Sequence, residues 1–172
     1  MDKRRQIAKE TDIYAYDVFE LLFEYEITRV KRYPSPLALL HIALEKKNYP
    51  ADFISQANKA MTGILCRSLR VSDVPAHYND EFLVLLPATD EDGGRAVAER
   101  ILSHFRTTQS LATGRLSPKR NAYIGLTVRI DATTVSVKNL LAEAAVAMNE
   151  ARTKQSYTYV LFSDISTNAP KL

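Results

Sequence analysis

The sequence carries a single cysteine, Cys66, among 172 residues. That excludes an internal disulfide and suits a reducing compartment. No apolar stretch approaches the roughly 20 residues that cross a bilayer. The charged start MDKRRQ is not followed by the apolar core of a secretion signal. A strong charge of one sign is missing too. The formal net charge is +3, and Lys and Arg are scattered apart from Lys3-Arg4-Arg5 and Lys119-Arg120. Nucleic-acid binders concentrate such residues on one face. The expectation is a cytoplasmic protein with no membrane span and no nucleic-acid partner. Glycine is scarce, and 46% hydrophobic with 25% charged residues is an ordinary globular composition, which argues against disorder and fibres. The length fits one domain with a core of its own.

What is there alternates between helix and strand patterns. Residues 1–11 read as a polar helical extension. From Tyr14, apolar residues at Val18, Leu21, Leu22 and Tyr25 form one helical stripe, closed by Lys31-Arg32 and stopped by Pro34 and Pro36. Residues 37–44 are a continuous apolar run of strand length, predicted to be central in a sheet and covered on both faces. Phe53, Ala57, Ala60, Met61, Ile64 and Leu65 give a second helix its buried face. Residues 91–105 predict a third helix with an acidic start, residues 107–120 a mobile loop, and 122–130 a strand. Residues 137–154 predict a fourth helix, 158–162 a last strand, and 166–172 a frayed tail. Helices packed on a central mixed sheet follow from that alternation.

Residues 69–87, LRVSDVPAHYNDEFLVLLP, organise the rest. They read as a helix end, a short strand, a tight turn at Tyr78-Asn79-Asp80 and an apolar strand from Phe82. Asn and Asp both tolerate the left-handed backbone a narrow turn demands. The order R-x-x-D, x-x-D-E-F, apolar strand, Leu-Pro resembles a GGDEF domain, the diguanylate cyclase fold that makes cyclic di-GMP from two GTP. SPLALLHIALE (35–45), AERI (98–101), YIGL (123–126) and AAVAMNEAR (144–152) are similar to further family segments in the same order. The resemblance covers about residues 12–165. It implies an α/β, nucleotide-cyclase-like palm: a mixed, mainly antiparallel five-stranded sheet flanked by helices.

The resemblance also implies what has been lost. Cyclisation needs two divalent cations held by hard oxygen ligands. The first-strand ligand position falls on Ala43, which has no oxygen to offer. The two glycines of the motif fall on Tyr78-Asn79, with one residue deleted nearby. Asp80 and Glu81 remain at the tip, and the phosphate-contacting Lys falls on Arg152. The guanine-reading Asn and Asp have no counterpart after Asn48. The expectation is a degenerate domain without catalytic residues, with no magnesium or other cofactor. The family's product-binding inhibitory site, in contrast, maps onto Arg70, Asp73 and Arg100, all present, and Arg70–Asp73 is the only R-x-x-D in the chain. Arg forks pair with phosphate or guanine O6/N7, and a carboxylate accepts guanine N1–H and N2–H. A bacterial second-messenger receptor for cyclic di-GMP, working as a homodimer or with a signalling partner, is the implied function. The alternatives are a dimerisation or docking scaffold that binds no ligand, and an enzyme with residual nucleotide chemistry at Asp80-Glu81.

Four other features bear on function. His41 and His77, with Asp80 and Glu81 nearby, form a conceivable metal site if their strands are neighbours, against the commoner reading as packing residues. Cys66 reads as a small buried hydrophobe. The aromatics Tyr14, Tyr16, Phe19, Phe23 and Tyr25 exceed what one core needs, so part of the first helix is expected to meet a partner or a second copy. Arg115, Lys119 and Arg120 in the 107–120 loop could touch an anion, against plain solvation.

Overall fold

The computed structural model describes residues 13–112, 120–131, 134–154 and 157–167. Its centre is the apolar run: β1 (Leu37–Leu44) is buried along its whole length. A strand can be that apolar only when neighbours flank both edges and helices cover both faces. β3 (Glu81–Pro87) and β4 (Ala122–Arg129) pair antiparallel with β1, one on each side. β2 (Val74–Tyr78) pairs antiparallel with β3, and β5 (Thr158–Leu161) parallel with β4. The order is β2-β3-β1-β4-β5, a mixed and mainly antiparallel five-stranded sheet.

Alternate side chains of the strands feed two cores. Ala38, Leu40, Ile42, Phe82, Val84 and Leu86 pack under α2 (Ala51–Ser68) and α3 (Glu91–Ala112). Leu37, Leu39, Leu83 and Leu85 pack under α1 (Tyr16–Arg32) and α4 (Val137–Thr153), which contribute Phe19, Phe23, Leu140 and Ala144. Each large apolar side chain buried this way stabilises by about 1.5–3 kcal/mol before ordering costs. Local signals set the helix starts: Asp90 Oδ1 accepts from Gly93 N, and Ser136 Oγ accepts from Asn139 N.

Gly125 marks the closest approach of helix and sheet. A Cβ there would overlap the Ala144 carbonyl oxygen and the Met148 backbone nitrogen, and neither can swing away. Gly125→Ala is expected to lever α4 off the sheet, costing about 3–5 kcal/mol. The melting temperature should fall by roughly 10 °C, as thermal denaturation followed by circular dichroism would show.

Five details differ from the sequence reading. The stripe that α1 buries is Phe19, Phe23, Ile27 and Val30, while Leu21 and Tyr25 of the expected stripe are exposed. Tyr14 forms a parallel bridge with Ala76, which covers the β2 edge, and the first helix starts only at Tyr16. α3 runs on to Ala112, because its polar residues from Thr107 contain no helix breaker before Gly114. The mobile loop of the sequence reading is helix over its first six residues, and residues 113–119 lie outside the described residues. β5 ends at Leu161, and residues 162–167 turn into a short helix, α5 (Phe162–Thr167). Cys66 is exposed, not buried: it sits one residue, about 100° of helix, past Leu65. The 1–11 extension and residues 168–172 of the tail also lie outside the described residues.

Candidate functional site

The helix α2 ends at Ser68, and the chain turns through Leu69–Asp73 into β2. Asp73 closes the turn on itself. Its Oδ2 accepts from the Arg70 backbone N–H at 2.7 Å, and its own N–H donates to the Arg70 carbonyl at 3.1 Å. The residue is only 7% exposed. Burial pushes its carboxyl above the usual carboxylate range, while the hydrogen bond to Arg70 N–H and the positive charges of Arg70 and Arg100 pull it back. Its second oxygen, Oδ1, carries no hydrogen bond among the described residues. Arg100 arrives from α3, where its Nη2 donates to the Ser68 carbonyl at 2.6 Å. Asp73 and Arg100 thus flank the Ser68–Asp73 turn, Asp73 bonded to the Arg70 backbone and Arg100 to the Ser68 carbonyl, and among the described residues no ion pair joins the carboxylate to either guanidinium. One helical turn beyond Arg100, His104 Nδ1 lies 3.1 Å from Ser68 Oγ. The sequence reading missed Ser68 and His104. Their signal was present: the i, i+4 spacing of Arg100 and His104 puts both on one side of α3.

The hairpin tip is a different environment. Tyr78 pairs with Glu81 across the two-residue turn Asn79-Asp80, with Asn79 in the left-handed region at φ 53°. The Tyr78 ring packs edge-on to His41 and against Tyr16, at centroid distances of 5.6 and 5.0 Å. Side-chain bulk thus stands where a glycine would leave backbone open. Ala43 is fully buried within β1, and Asp80 is exposed at the tip. Glu81 is held from two sides: its Oε2 lies 2.6 Å from His41 Nε2, and its Oε1 accepts from Arg152 Nη2 at 2.6 Å. A carboxylate can only accept, so His41 Nε2 carries the proton. Lys46 Nζ stands 3.9 Å from the same Oε1. The His41 hydrogen bond holds the Glu81 carboxyl below its ordinary range; burial opposes this, and the charges of His41 and Arg152 reinforce it.

Strand register decides the histidine question. His77 pairs with Phe82, and Phe82 with Ile42, while His41 pairs with Leu83. Directly paired residues share a face and neighbours alternate, so His41 and His77 point to opposite faces of the sheet. The two cannot share a metal, and among the described residues no three His, Cys, Asp or Glu side chains gather as a metal site. Arg120 is likewise no exposed anion contact. It is buried, and its guanidinium binds the Glu45 and Ile54 carbonyls, locking the start of α2 to the start of β4.

Among curated protein sequences, no match was found. Solved structures give many similar folds. The chain superposes on the diguanylate cyclase SiaD of Pseudomonas aeruginosa, solved with its activator SiaC, with a TM-score of 0.71 and 20% identity. That match covers 88% of this chain, which spans only 59% of the SiaD chain. The coiled coil and GGDEF domain of DgcB from Caulobacter crescentus, solved with c-di-GMP, matches with a TM-score of 0.74 and 12% identity, covering 88% of this chain and 82% of that one. The GGDEF domain of PA1120 from Pseudomonas aeruginosa is 25% identical with a TM-score of 0.65, covering 88% and 97%. Residues 9–157 match the family described as "Diguanylate cyclase, GGDEF domain", and with that span matched the chain belongs to the GGDEF domain family.

Proposed function

We propose that this chain is a degenerate GGDEF domain that has given up cyclase chemistry and receives cyclic di-GMP at Arg70, Asp73 and Arg100. The observation that carries the reading is the buried Asp73 carboxylate, with Arg70 and Arg100 acting on it and one oxygen without a hydrogen bond among the described residues. A guanine edge offers N1–H and N2–H to such a carboxylate, and a phosphate or guanine O6/N7 suits the Arg forks. DgcB, a fold relative, was solved with c-di-GMP.

The hairpin tip supports the loss of catalysis. Two cations and a triphosphate need carboxylates free to bind metal. Ala43 has no donor, and Glu81 already spends both oxygens on His41 and Arg152. Positive side chains beside Glu81 oppose a divalent cation there. This donor set does not fit the two-cation site of an active cyclase, and no magnesium or other cofactor belongs to the reading. The chain would then act as a cytoplasmic bacterial receptor without a nucleic-acid partner. Among the described residues no helix is long and apolar enough to cross a membrane.

Incubation with GTP and magnesium should yield no cyclic di-GMP. Equilibrium dialysis should show labelled cyclic di-GMP retained by the wild type but not by Arg70→Ala. Product formation, or equal retention by both proteins, would overturn the corresponding half of the reading. A second reading, a scaffold that binds no ligand, is favoured by the apolar side chains on the outer face of α1.

A further inference from the structure

α3 grips the end of α2 with two side chains one helical turn apart. Arg100 Nη2 donates to the Ser68 carbonyl, and His104 Nδ1 lies 3.1 Å from Ser68 Oγ. The first contact is a helix cap. Ser68 is the last residue of α2, and its carbonyl is one of those a helix leaves without an internal partner. The second contact serves no backbone group; it satisfies a buried hydroxyl, for which a neutral imidazole suffices. Two features go beyond that. His104 is itself exposed, so its ring exchanges protons with water. A hydroxyl also both donates and accepts: Ser68 Oγ donates to a neutral Nδ1 and accepts from a protonated one. A proton therefore enters the ring without breaking the contact.

The charges around the ring are mostly positive. Residues 65–73, the end of α2 and the turn, hold Arg67, Arg70 and a single carboxylate, Asp73. Arg67 lies back along its own helix, over Gly63. On α3, Arg100 stands one turn away, while the Glu99 carboxylate accepts from Tyr159 Oη on β5. The side of α3 that meets the sheet is apolar here, with Ile101 and Phe105. We propose that His104 is a ligand-binding residue of this site and couples it to protons: once protonated it adds a third positive charge beside Arg70 and Arg100, so a ligand with two phosphodiesters is held more tightly as pH falls. This inference deepens the receptor reading and rests on it. The ligand's phosphodiesters stay ionised over the range in which histidines change charge, so the added charge is the protein's. One charge at the rim of a surface site, acting on a dianion, is worth about three- to tenfold in affinity, and less at high salt. At the acid end the trend reverses. Burial raises the Asp73 carboxyl, and once protonated it no longer offers its charge to the guanine donors. Linkage is reciprocal, so binding draws in the proton that favours it.

Equilibrium dialysis of the full chain with labelled cyclic di-GMP at about pH 8 and about pH 6, on either side of the histidine range, tests the coupling. Wild type should bind about three- to tenfold more tightly at the lower pH. His104→Asn keeps a partner for Ser68 Oγ but gains no charge, and should bind equally at both. His104→Arg, a permanent cation, should bind at both as tightly as wild type does at the lower pH. If His104 only held α2 in place, its loss would shift affinity by one factor at both pH values. Calorimetry in two buffers of different protonation enthalpy should show proton uptake on binding by wild type and none by His104→Asn. A wild type that binds with the same pH profile as His104→Asn overturns this inference and leaves the receptor reading standing. A wild type that binds at neither pH overturns both.

Discussion

Asp73→Asn is expected to abolish cyclic di-GMP binding without weakening the fold. Asparagine keeps an oxygen that can accept from the Arg70 N–H, so the turn survives. It removes the negative charge that faces the guanine donors, and losing a charge-assisted pair there should cost at least about a hundredfold in affinity, or about 2.7 kcal/mol. Stability should move the other way. A carboxyl whose folded pKa is raised is favoured at low pH, and that advantage is lost as pH rises through the folded value. At neutral pH the buried charge of Asp73 is therefore a cost, because burial is the largest influence on it. The variant should melt at or above the wild-type temperature at pH 7. Stability at pH 7 and affinity, measured on the same preparation, check both halves: a variant that binds normally, or unfolds early, contradicts the account of this turn.

The second large effect concerns Glu81. Glu81→Gln breaks the bridge between β3, His41 on β1 and Arg152 on α4, leaving a buried histidine and an arginine without their anion. Removing one partner of a buried pair costs about 3–5 kcal/mol. Here Arg152 is one-third exposed, so about 2–3 kcal/mol is expected, a fall of roughly 4–10 °C in melting temperature. The pH dependence has a definite sign. The folded-state carboxyl is held below its unfolded value, so its contribution is present above the unfolded value, near 4.3, and disappears as pH falls through the lower folded one. Between about pH 5 and pH 3 the wild type should lose stability faster than Glu81→Gln. Parallel loss in both proteins would mean that the bridge does not stabilise the fold.

The sheet was legible in the sequence because its signals are local and strong. Residues 37–44, apolar but for His41, of strand length and preceded by Pro34 and Pro36, read as a central strand, and Asn-Asp between two extended runs reads as a tight turn. Where polarity and structure separate, the reading failed. Residues 107–112 are polar yet helical, since nothing breaks the helix before Gly114. Cys66 adjoins the apolar stripe in sequence but not in space. Arg70, Asp73 and Arg100 were singled out by the family pattern alone, not by any local signal of their own. The His41–Glu81–Arg152 bridge could not be read. It joins residues 40 and 71 positions apart, and only the register of β1 against β3 puts His41 and Glu81 on the same face. That register also separates His77 from His41.

In the proposed receptor, cyclic di-GMP binds at the turn before the hairpin and not at its tip. Nitrogen-15 NMR spectra of the labelled protein, recorded while unlabelled cyclic di-GMP is added, test this most directly. Shifts are expected at the backbone amides of Arg70 and Asp73 and at the Arg70 and Arg100 side-chain Nε–H groups, with Asp80 and Glu81 unmoved. Unchanged spectra, or shifts centred on the hairpin tip, would contradict it.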